Sequence, residues 1–97
     1  MDDTLQGLLR AFGQRVRELR QSQGFSQEGF ADKCGVHRTF MGTIERGESN
    51  LSFQNIAKVA ETLGVTLAVL FADLESAAVK AGHETATATR TKKTPAK

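Results

Sequence analysis

Arg38, Thr39, Thr43 and Arg46 lie within nine residues of one another in the stretch GVHRTFMGTIERGESN, residues 35–50. An arginine can fork two N–H groups onto the N7 and O6 of guanine. A threonine can bond a base edge or touch the methyl of thymine. For these groups to act together they must share one face. Taking 100° per residue from 37 to 45, Phe40, Met41 and Ile44 fall on one side of a helix. Arg38, Thr39, Gly42, Thr43 and Arg46 fall on the other. The first set packs and the second is presented. Gly42 is expected to let the helix backbone approach a groove closely, at a cost in helix stability.

Other chemistries are poorly served. Cys34-x-x-His37 has metal-like spacing, but two ligands do not make a zinc site, and His83 is far along the chain. Residues 42–49, GTIERGES, come close to a phosphate-binding loop, yet Glu48 stands where that loop requires lysine. With two histidines in the whole chain no Ser–His–Asp arrangement is credible. We expect no catalysis, no metal, no cofactor and no small-molecule ligand.

The elements around that stretch read as all-α. Leu5, Leu8, Leu9, Phe12, Val16 and Leu19 recur at three- and four-residue steps, predicting a helix over 5–22 that Thr4 caps and Gly24 ends. Gly7 and Gly13 are expected to loosen its early turns. Ser26 opens a second helix, about 26–33, which Gly35 breaks. The third, 37–45, carries the presented face. Ser52 caps a fourth over about 53–63, with Phe53, Ile56, Val59, Ala60 and Leu63 inward, and Gly64 ends it. Thr66 caps a fifth over about 67–79, with Leu67, Leu70, Phe71 and Leu74 on one face. Residues 82–97, GHETATATRTKKTPAK, hold no large apolar group and read as a flexible basic tail behind a domain of residues 1–81.

The charge divides unevenly. The tail holds Arg90, Lys92, Lys93 and Lys97 against Glu84, leaving nine basic and ten acidic side chains in residues 1–81. Polyanion binding by the folded part must therefore come from local arrangement, because its overall charge supplies none. The single cysteine, Cys34, excludes an internal disulfide and is expected to be a buried, inert thiol. The acidic MDDTLQGLLR start lacks the pattern of a signal peptide, and no apolar run is long enough for a membrane span, so a cytoplasmic protein without membrane contact is expected.

Two short helices separated by Cys34-Gly35-Val36 suit a helix-turn-helix, whose second helix can lie in a DNA major groove. The run SQEGFADKCGVHRTFMGTIERGESNLSFQNIAKVAETLGVTLAVLF resembles the Cro/CI repressor superfamily, also called the XRE family. The block HRTF-x-G-x-x-ERG-x-x-N-x-S is similar to a subgroup that includes small controller proteins of restriction–modification systems. The resemblance implies a five-helix lambda-repressor-like domain and a regulator of transcription. It implies base readout by Arg38, Thr39 and Thr43, and contact with the double-stranded DNA backbone by Gln27, His37, Arg46 and Asn50. It implies a structural pair between Arg20 and Glu45. It also implies a homodimer on a palindromic operator, with Leu70, Phe71, Leu74 and Ala78 as candidate interface residues. Two positions depart from the family pattern. His37 stands where a Ser or Thr cap is common, so poor capping is expected. Gly29 replaces a strong helix former, so a weaker second helix is expected. The alternative from another class is an antitoxin-type module that uses the same fold to hold a protein.

Overall fold

The structure is a computed structural model and describes residues 3–82. Six helices follow one another: α1 (Asp3–Ser22), α2 (Gln27–Cys34), α3 (Arg38–Glu45), α4 (Phe53–Leu63), α5 (Leu67–Leu70) and α6 (Leu74–Gly82). Their starts are set by polar side chains that satisfy free N–H groups. Ser26 accepts from Gly29 N at 2.9 Å, Ser52 from Asn55 N at 3.1 Å and Thr66 from Val69 N at 3.1 Å. Gly35 ends α2 with φ 78°, a left-handed conformation that side chains resist, and so aims α3 across α2. The expected tail of residues 82–97 lies, from residue 83 on, outside the described residues.

The core runs through α1 to α5. Phe12 and Val16 meet Phe30, Met41, Ile44, Val59, Leu63 and Leu70, each no more than 4% exposed. Helix α1 is the central strut. The N-terminal cap expected of Thr4 is absent, because α1 already includes it. The loosening expected of Gly7 and Gly13 is also corrected, since both are sites of close packing. A Cβ at position 13 would lie 2.3 Å from Ile44 O and 2.6 Å from Glu45 O. A Cβ at position 7 would lie 3.3 Å from Ala78 O, where α6 crosses α1. Hydrogen in place of a side chain lets α3 and α6 sit directly on the strut.

The fifth helix expected over 67–79 is divided. It stops at Leu70, and Asp73 takes φ 58° before α6 begins. The break turns the chain back so that Leu74 and Ala78 reach α1 while Leu70 stays in the core. A straight helix could not bury both sets against one small domain. Among the described residues no single helix is long and apolar enough to cross a membrane.

Candidate nucleic-acid interface

Helices α2 and α3 meet across a shallow cleft of about 490 Å³, lined by Gln27, Glu28, Arg38, Thr39, Gly42 and Arg46. Arg38 opens α3 with its side chain 64% exposed, and Thr39 beside it is exposed too. These are base-reading candidates, and both are exposed among the described residues. The third candidate is placed differently. Thr43 is half-buried, its hydroxyl donates to Phe40 O at 2.7 Å, and it shares a short hydrogen bond with the Ser49 hydroxyl. Its oxygen is engaged inside the fold, so outward chemistry falls mainly to its methyl.

His37, exposed before α3, caps that helix: its Nδ1 accepts from Thr39 N at 3.0 Å. The poor capping expected there is thus corrected. A ring nitrogen two bonds from Cβ has the reach of an asparagine oxygen. Gly42 is likewise corrected. It is buried, because Arg46 folds back over it. A Cβ there would lie 3.1 Å from Arg46 Nη1 and 3.5 Å from Gln27 Oε1. The glycine makes room for two polar side chains on the cleft. Asn50 is exposed in the connection after α3.

The support beneath this face is a buried ion pair. Arg20 on α1 reaches Glu45 through Nε to Oε2 at 2.7 Å and Nη2 to Oε1 at 3.0 Å, and its Nη1 donates to Phe25 O at 2.8 Å. Gln27 Nε2 donates to the same Glu45 Oε1 at 3.2 Å. One carboxylate therefore ties α1, the start of α2 and the end of α3 into a fixed frame. Gln6 adds a second tie from α1, donating to Gly47 O at 3.2 Å in the turn that carries Arg46 and Asn50.

Two acidic partners were not legible in the sequence. Glu28 Oε2 lies 3.4 Å from Arg38 Nη1, and Glu48 Oε1 lies 3.2 Å from Arg46 Nε. Glu28 reads by itself as an ordinary acid in the first turn of a helix. Its partner is ten positions away across the turn, where no periodicity connects them. On the far side, Cys34 is buried beside Lys58 and Thr62. Burial pushes its thiol up, while the Thr62 hydroxyl and the Lys58 cation pull it partly back.

Of the four expected interface residues, Leu70 is withdrawn into the core, while Phe71, Leu74 and Ala78 are half-buried. Leu70 is 0% exposed, so it cannot meet a partner. Phe71 packs its ring 5.8 Å from that of Phe12, Leu74 lies against the core, and Ala78 sits over Gly7. Folding α6 back over α1 covers part of Leu74 and Ala78. Among the described residues the large apolar side chains left in solvent are Val69, 42% exposed, and Phe53, 68% exposed; the inward placement expected of Phe53 is thus corrected, since it is the first residue of α4, ahead of the turns that pack.

A helix-turn-helix with exposed polar groups on its second helix defines a class of DNA-binding regulators. The helix-turn-helix family HTH_3 matches residues 16–70, and the chain belongs to it, as a DNA-binding transcription regulator of XRE type. Over 65 residues it is 40% identical to the control protein C.MunI of a Mycoplasma species, spanning 66% of this chain and 88% of that one. It is 49% identical over 55 residues to the control protein C.BamHI of Bacillus amyloliquefaciens, 56% of this chain and 68% of that one. The crystal structure of the restriction–modification controller protein C.AhdI from Aeromonas hydrophila aligns with a TM-score of 0.63 at 46% identity, covering 65% of this chain and 96% of its own. The all-α architecture read from the sequence stands.

Proposed function

We propose that the protein binds a palindromic operator in double-stranded DNA as a homodimer, each copy laying α3 in the major groove. The observation that carries this is the cleft between α2 and α3, where Arg38, paired with Glu28, and Thr39 stand exposed above a frame fixed by Arg20 and Glu45. Arg38 reads guanine and Thr39 an adjoining base, with the Thr43 methyl available to thymine. Gln27, His37, Arg46 and Asn50 flank that row and hold phosphates, which set register without reading sequence. The dimer contact falls on the outer side of α5 around Val69, the apolar group there that the fold leaves uncovered. The protein acts in the cytoplasm by occupying its site, without catalysis.

The deciding experiment is selection of bound sites from random duplex DNA. The expected product is an inverted repeat whose half-sites lie about 34 Å apart, one helical turn. Recovery of a single half-site would remove the dimer from this reading. Failure to enrich any duplex would remove the reading itself.

A further inference from the structure

The geometry points to Glu28 as a second base-reading residue that acts as a unit with Arg38. Among the described residues two exposed ion pairs are found, and both lie beside the α2–α3 cleft: Arg38–Glu28 and Arg46–Glu48. With side chains 64% and 72% exposed, the Arg38–Glu28 pair contributes little to folding. Its consequence lies in what it meets. A guanidinium carries five N–H donors, and a guanine takes two of them. Arg38 can therefore read guanine while its Nη1, 3.4 Å from Glu28 Oε2, keeps the carboxylate at the groove edge.

A carboxylate in that position only accepts hydrogen bonds. It is matched by the N4 amino group of cytosine or the N6 amino group of adenine. It is repelled by the O6 and N7 of guanine and the O4 of thymine. Arg38 and Glu28 together then demand an amino-bearing base next to a guanine, and the penalty on the wrong base supplies part of the discrimination. Glu48 is the internal contrast. It sits beside Arg46, at the end of α3 assigned to phosphate, where a carboxylate meets no donor. It lowers affinity for every sequence alike.

This inference rests on the DNA-binding reading above and is tested by site selection with the wild-type chain, Glu28→Ala, Glu28→Gln and Glu48→Gln, with thermal melting of each. Wild type is expected to select guanine with cytosine or adenine at one adjoining position. Both Glu28 variants are expected to keep the guanine and lose that neighbouring preference by about tenfold, at unchanged melting temperature. Glu48→Gln is expected to bind all duplexes more tightly with the same preferred site. If the Glu28 variants instead behave like Glu48→Gln, with uniform tightening and an unaltered site, the paired readout is overturned and the DNA-binding reading stands. If wild type enriches no sequence, the failure belongs to that earlier reading.

Discussion

Arg38 and Glu45 sit at opposite ends of the same short helix and carry opposite kinds of work. Arg38 is exposed and makes no contribution to the core, so Arg38→Ala should fold normally. Its loss is expected to cost about 1–3 kcal/mol on the selected operator and to relax the preference at one or two base pairs, read by titrating duplexes that differ at single positions. Equal losses on every duplex would make Arg38 a phosphate contact. The side chain of Glu45 is 4% exposed and holds that of Arg20, which is 9% exposed. Glu45→Ala leaves a buried guanidinium without its counter-charge, which should cost about 3–5 kcal/mol in denaturant unfolding and remove DNA binding with it. Cys34 gives a pH signature. Its raised thiol favours the neutral form in the folded state, so its contribution to stability is complete below the unfolded value and is lost as pH rises through the folded one. Alkylation of folded protein should therefore begin at more alkaline pH than alkylation of the urea-unfolded chain.

At the scale of elements, α1 positions everything else, and it does so through the two glycines that a propensity scale counts against it. Gly13→Ala would place a methyl 2.3 Å from Ile44 O, against backbone that cannot step aside. The substitution raises helix propensity yet should destabilise by about 1–3 kcal/mol, because α3 must move off the strut. A thermal melt decides it; stabilisation would mean that α3 does not sit where described. The start of α3 shows the same lesson. Sequence preference ranks histidine low as a cap, but His37 accepts from Thr39 N because the turn at Gly35 brings its ring over the free amides.

For the whole molecule, charge is the lever. Residues 1–81 are close to neutral, with nine basic and ten acidic side chains, and two of the acids lie against the arginines of the cleft. We expect Arg90, Lys92, Lys93 and Lys97 to add long-range attraction to DNA. Removing residues 83–97 should weaken binding at low salt and lower the slope of log affinity against log salt by at most about 4. The selected site should stay the same, since no base-reading residue is lost. A changed site after truncation would place sequence recognition in the tail.

The first four helices, most caps and the exposure of Arg38, Thr39 and Arg46 were legible in residue types, because periodicity and capping are local: each depends on neighbours three or four positions away. The resemblance pointed to Arg20–Glu45, since the residues of that pair stand in a recurrent motif. What only the tertiary structure decided are the contacts between residues that no local period connects. Glu28 meets Arg38 across the turn, Arg46 and Gln27 cover Gly42, and Ser49 engages Thr43. Asp73 turns α6 back onto α1, so that Leu74 and Ala78 pack there while Leu70 stays in the core. An apolar stripe states that a surface will be buried. Which surface buries it depends on where the chain goes next, and one left-handed residue was enough to change that.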